Sequence, residues 1–244
     1  MNKGHSLLRT FKTIGLILTL GVSMSMSADA GLLGFGGDSW KEEVLLHDGQ
    51  KIIVQRSQSY GGRREPGQSA PIKEHTISFT LPDSNKTITW TSEYGEDLGR
   101  TNFNLLAVHV LNGTPYIVAS PNLCLSYNKW GRPNPPYVFF KHDGNTWQRI
   151  PLEEFPAEFK TANVAFSIRG LQVENLVSMG LVSAEHLKKL NSDINQPEYK
   201  TILREAVKPG TVGSSVNCEE MIRYKCGWGA PGEFNKKYFE SICK

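Results

Sequence analysis

From Trp40 onward the chain alternates. In "HTISFTL", Ile77, Phe79 and Leu81 are separated by Ser78 and Thr80; in "TITWTS", Ile88 and Trp90 stand between threonines. A period of two sends successive side chains to opposite faces, which marks strands with one buried and one polar side. The same reading covers "EVLLHDGQKIIVQRS", "LLAVHVLNGTPYIVAS" and "YVFFKHDGNTWQRIPL", which turn near Asp48-Gly49, Asn112-Gly113 and Asp143-Gly144. Asp-Gly and Asn-Gly suit tight hairpin turns because glycine accepts positive φ. "NVAFSI", residues 163–168, reads as a ninth strand. The expected fold is mainly β: an antiparallel meander of about eight to nine strands, as a sandwich or barrel, with a C-terminal helical, disulfide-tied tail.

In such a meander successive connections alternate between the two ends of the sheet. The tight turns then fall at one end. The long connections, 57–74, 93–104 and 121–136, fall at the other. Long loops gathered on a rigid scaffold are where binding and catalysis usually reside.

After Gly170 the period changes. "LQVENLVSMG" reads as a helix ended by Gly180, and "SAEHLKKL" as one capped by Ser183. In "QPEYKTILREAV" Pro197 suits a first turn, and Tyr199, Ile202, Leu203 and Val207 share a helical face. "KPGTVGSS" reads as a linker. "NCEEMIRYKC" reads as a helix with Asn217 as N-cap and Glu220 completing a capping box. The expected organisation is a signal peptide at 1–30, an antiparallel β-domain at 31–170, and a helical region at 171–244 with three of the four cysteines.

The signal peptide rests on three features. Lys3, Arg9 and Lys12 precede the apolar run "IGLILTLGVSMSM", and Ala28-Asp29-Ala30 follows as a small-x-small cleavage pattern. The apolar run is shorter than the ~20 residues a bilayer span needs. No transmembrane segment is expected after cleavage, and the expected location is periplasmic or secreted. Setting aside Lys3, Arg9, Lys12 and Asp29 leaves 24 basic and 23 acidic residues. That balance gives no case for a nucleic-acid partner.

Four cysteines in an exported chain favour two disulfides. A helix over 217–226 would set Cys218 and Cys226 about 12 Å apart, beyond the ~7 Å a disulfide spans. Cys124 then pairs with Cys218 or Cys226, and Cys243 with the other. The spacings hold no C-x2-C, so no metal site is expected from the cysteines.

No serine-hydrolase elbow, zinc-protease helix or Walker loop is present, and no motif calls for a cofactor. His-Asp-Gly occurs twice, at 47–49 and 142–144, both times at a hairpin tip. Glu153, Glu154 and Glu158 cluster in "PLEEFPAEF" and read as a solvated helix face. Two long connections hold better candidates for ligand contact. One carries Tyr60, Arg63 and Arg64; the other carries Tyr127, Lys129, Trp130 and Arg132. Arginine beside aromatic rings suits carboxylate or sugar recognition. The competing reading is a rigid corner, since Pro133, Pro135 and Pro136 restrict the chain.

"YNKWGRPNPPYVFFK", with "LHDG" before it and "IPLEEFPAE" after it, resembles a family of exported proteins from Gram-negative bacteria to which no activity is attached. The resemblance covers roughly 40–170 and implies compartment and lineage, with no residue roles. "FKHDGNTW" also looks like part of a β-propeller blade, but two blades' worth of strands cannot close a propeller. The expected function is non-enzymatic binding of an envelope or extracellular ligand or protein through the long-loop edge. The alternatives are a small cell-envelope hydrolase using Glu and His residues gathered in space, and a structural assembly subunit.

Overall fold

The computed structural model describes residues 37–82, 84–210 and 212–243. The segment read as a signal peptide lies outside the described residues, as do Asp83, Thr211 and Lys244. The alternating sequence forms two antiparallel sheets. The first contains β1 (Gly37–Leu45), β2 (Lys51–Tyr60), β3 (Ile72–Thr80) and β4 (Thr87–Thr91), each paired with the next. At its first turn, Asp48 Oδ1 accepts from Gln50 N at 2.9 Å while Gly49 takes φ 87°. Two short strands, β5 (Tyr94–Gly95) and β6 (Arg100–Thr101), pair inside the next long connection. The second sheet contains β7 (Phe103–Leu111) and β8 (Thr114–Pro121). A short helix, α1 (Leu123–Lys129), leads to β9 (Val138–His142) and β10 (Trp147–Ile150). The spatial order is β10-β9-β8-β7.

The two sheets share one apolar core. Val44, Val54, Ile77 and Phe79 come from the first, and Leu105, Val108 and Ile117 from the second. Each such side chain contributes about 1.5–3 kcal/mol when fully buried. The outer face of β3 and β4 instead carries facing hydroxyls, with Ser78 and Thr89 at 2.8 Å and Thr76 and Thr91 at 3.3 Å. Such cross-strand pairs stabilise a solvated face. The second sheet is covered on its outer side too. Leu106, Tyr116 and Phe139 meet Phe155, Phe159 and Ile202. This is why "LLAVHV" and "YIVAS" are nearly continuous apolar runs.

The C-terminal region completes both layers. α2 (Leu171–Met179) leads to β11 (Leu181–Val182), which pairs in parallel with β1 at Lys41 and Glu42. α3 (Ala184–Ser192) begins at Ser183, whose Oγ accepts from His186 N at 3.2 Å. Trp40 packs with Val173, Leu176 and Leu187 beneath these elements.

Among the described residues no barrel closes, and the strands number 13. Eight are those the alternation marks, and the other five are pairings of two residues each. The ninth strand expected at 163–168 does not form. Asn163 there bridges the two sheets with its side chain, donating to Leu45 O and Val108 O and accepting from Val108 N.

Two expected helices are also absent. "QPEYKTILREAV" forms only a 3-10 turn, Pro197–Tyr199, after which Thr201 bridges Thr161 and Ile202 N bonds Lys160 O. Packing on the second sheet outweighs helical propensity there. Asn217 ends a short 3-10 turn, Ser215–Asn217, and the chain continues as a hairpin of β12 (Ile222–Arg223) and β13 (Trp228–Gly229). Cys218 is extended and bonded to Cys124, with Cα atoms 5.3 Å apart. Cys226 is bonded to Cys243, with Cα atoms 5.5 Å apart, at the end of α4 (Glu233–Ile242). Cys218 and Cys226 are thus separate, but extended backbone rather than a helix separates them. Among the described residues no helix is long and apolar enough to cross a membrane.

Candidate functional site

The three long connections meet. Arg63 N donates to Gly99 O at 2.9 Å, Asn122 N donates to Asn102 O at 2.9 Å, and Lys129 Nζ lies 2.7 Å from Asp97 Oδ1. A glycine pair permits the first approach. Any Cβ on Gly62 would sit 2.3 Å from Gly99 O, and one on Gly99 would strike Arg63 Cβ at 2.5 Å.

Between these connections and residues 166–170 lies a two-lobed cleft. One lobe, of about 620 Å³, is walled by Tyr60, Arg63, Arg64 and residues 68–72. The other, of about 700 Å³, is walled by Leu98, Leu123, Leu125, Phe166 and Tyr199. Arg100, Asn104, Asn122 and Arg169 border both lobes. Each lobe falls in the ~300–1,000 Å³ range of small-ligand sites. The second lobe also contains two strained residues. Leu123 has φ 66° and Ser167 has φ 55°, in the left-handed region that costs such residues about 1–3 kcal/mol.

The cleft is electropositive. The three ion pairs among the described residues are Lys51–Glu43, Arg56–Glu42 and Lys129–Asp97, and none uses Arg63, Arg64, Arg100 or Arg169. Two acids reach the first lobe, Asp38 and Glu174. Asp38 is engaged, since Tyr60 Oη donates to its Oδ2 at 2.6 Å. Burial first, and then this bond, push the Tyr60 phenol well above its usual range. The second lobe has Arg100 and Arg169 and no acid.

Beside the cleft the inner face of the first sheet turns polar. Glu42, Arg56, Gln58 and His75 are all buried there. His75 has its pKa lowered to about 3, by burial first and then by the positive charges of Arg56 and Arg169; Asn104 partly opposes the shift. Neither ring nitrogen has a well-formed hydrogen bond, and Gln58 Oε1 is also unpartnered. His75 is therefore neutral near pH 7.

Of the seven candidate contact residues, Tyr60, Arg63 and Arg64 line the cleft. The other four candidates are engaged in the fold. Tyr127 is buried. Arg132 lies over its ring at 5.2 Å and donates to Asn128 Oδ1, Glu219 O and Cys218 O. Trp130 packs on Phe103 with ring centres 4.5 Å apart, and Arg149 lies over it at 5.5 Å. Lys129 is paired with Asp97. The sequence reading missed Arg100, Asn104, Asn122 and Arg169. Arg169 follows a segment misread as a strand, and the others sit singly at strand ends, where no spacing marks them.

Two other histidines are held within the fold. His109 stacks on Phe159 at 4.5 Å, and its Nε2 lies 3.2 Å from Thr161 O. His142 Nδ1 accepts from Gly144 N at 3.1 Å within its turn. Glu153, Glu154 and Glu158 are exposed; the first two end a 3-10 turn, and no α-helix forms to set Glu154 and Glu158 on one face. Among the described residues no three His, Cys, Asp or Glu side chains gather as a metal-holding group. Comparison with protein-family models, with curated proteins and with solved structures finds no match to this chain.

Proposed function

We propose that this protein is an exported, non-enzymatic binding protein that takes an anionic ligand in the cleft between its long connections. The observation that carries the reading is four arginines, Arg63, Arg64, Arg100 and Arg169, lining one cleft with none in an ion pair among the described residues. Guanidinium groups left without carboxylates keep their forked donors for phosphate or carboxylate. Export is supported by the signal-like N-terminal sequence and by the pairing of all four cysteines. A sandwich fits the scaffold better than a barrel, because the two sheets share a core.

Catalysis has less support. His75 is held neutral and buried, and the clustered glutamates are exposed. The assembly reading is weakened on one side, where β11 covers part of the outer edge of β1.

Calorimetric titration of the purified protein with inorganic phosphate and with citrate, at low ionic strength, tests the proposal. Binding is expected for at least one, weakening at least tenfold in Arg100→Gln/Arg169→Gln. Absence of binding by both anions, or equal binding by the variant, overturns it.

A further inference from the structure

The two lobes differ in chemistry, and that difference narrows the ligand. The lobe beside Arg63 and Arg64 is polar, with Gln68, Ser69, Asp38 and Glu174 at its wall. The lobe beyond Arg100 and Arg169 brings together Leu98, Pro121, Leu123, Leu125, Phe166 and Tyr199, with serines and asparagines between them. Phe166 and Tyr199 stack at 4.6 Å and give that wall a fixed flat side. Leu123 is half exposed there, on a backbone conformation that leucine rarely adopts. Asparagine or glycine would hold this conformation at lower cost. An apolar side chain kept at such a position, facing a cleft, is consistent with a need for apolar contact.

We infer that the ligand is an anionic amphiphile with a single alkyl chain. Its phosphate or carboxylate head sits among Arg63, Arg64, Arg100 and Arg169, and its chain lies in the lobe of Leu98, Leu123 and Leu125. This rests on the anion-binding reading above and adds the apolar half. Arg100 and Arg169 border both lobes, so they are placed where head and chain join. Cys124 and Cys218 both line the apolar lobe, so their disulfide fixes its outer wall. A ligand with two charged ends does not suit this geometry, because the second lobe offers its far end no cation.

Titration with ethyl, butyl and octyl phosphate below their micelle concentrations, and with octanoate, tests the inference. Each buried methylene strengthens binding by up to about fourfold. In a cleft open to water, octyl phosphate is expected to bind at least about tenfold tighter than butyl phosphate. Leu123→Asn, which suits the left-handed backbone and should fold normally, is expected to shrink that ratio to about threefold or less. Arg100→Gln/Arg169→Gln is expected to weaken every ligand while keeping the ratio. Binding that does not depend on chain length overturns the amphiphile inference and leaves the anion reading intact. Chain-dependent binding unaffected by the arginine variant overturns the anion reading instead. Comparison of octanoate with octyl phosphate tells which head the arginines prefer.

Discussion

Arg56 and Glu42 form an ion pair inside the protein, with Arg56 Nη1 3.2 and 3.3 Å from the two Glu42 oxygens and side-chain exposures of 2% and 0%. The carboxylate also accepts from Trp40 Nε1 at 2.7 Å and from Ala165 N at 3.2 Å. One group thus ties β1 and β2 to the segment that crosses behind them. Removing either partner strands a buried charge, at a cost of about 3–5 kcal/mol. Urea unfolding of Arg56→Met and Glu42→Gln should show losses of that order. The double variant should lose less than their sum. Single losses below about 1 kcal/mol would remove this pair from the fold's supports.

Acid should loosen the protein through two histidines. His75 is lowered to about 3 and His109 to about 4, in both cases chiefly by burial. An unfolded histidine titrates near 6.5. On acidification the unfolded chain binds these protons first. Their contribution is therefore complete above about pH 6.5 and drains away as pH falls toward 4 and then 3. Each histidine adds a slope of about 1.4 kcal/mol per pH unit inside its window. Urea midpoints between pH 7 and 4.5 should fall less steeply in His75→Asn/His109→Phe than in wild type. Parallel curves would show that neither ring is held neutral.

The two disulfides should differ in weight. Cys124–Cys218 closes 94 residues and Cys226–Cys243 closes 17. On chain-entropy grounds the first contributes about 4–5 kcal/mol and the second about 3. Thermal unfolding of Cys124→Ser/Cys218→Ser and of Cys226→Ser/Cys243→Ser should rank in that order. The first pair should also weaken octyl phosphate binding, since it removes a wall of the apolar lobe.

Trp130 and Arg132 should matter for stability and not directly for ligand contact. Trp130→Ala removes the contacts with Phe103 and Arg149, at a cost of about 2–3 kcal/mol given partial burial. Arg132→Ala frees the carbonyls of Cys218 and Glu219. Anion affinity measured well below the unfolding temperature should stay within about threefold of wild type for Trp130→Ala. A loss as large as that of Arg100→Gln/Arg169→Gln would return Trp130 to the site.

The eight longer strands were legible because alternation is a local property. Ile77 and Phe79 announce their face whatever lies across from it. The contact among long connections was legible from strand parity, which needs only a count of turns. The helix misread at 217–226 fits its local propensity. What overrides it is a bond to Cys124 and the grip of Arg132, both from residues more than 80 positions away. The cleft was half legible for the same reason. Arg63 and Arg64 stand together in a glycine-rich loop, whereas Arg100 and Arg169 become neighbours only after folding. At Trp130 the sequence left two readings standing, because an aromatic beside cations looks alike in a binding loop and in a packed corner.

The parallel pairing of β11 with β1 sets a constraint in time. The first strand among the described residues finds its outer neighbour at Leu181 and Val182, about 140 residues downstream. While the chain emerges, β1 pairs with β2 on one side and presents free backbone groups on the other. An exposed strand edge of that kind invites pairing with another chain. Lys41 and Glu43 carry charges along its outer face, which discourage such pairing until β11 arrives. A chain halted before Leu181 would carry that edge open.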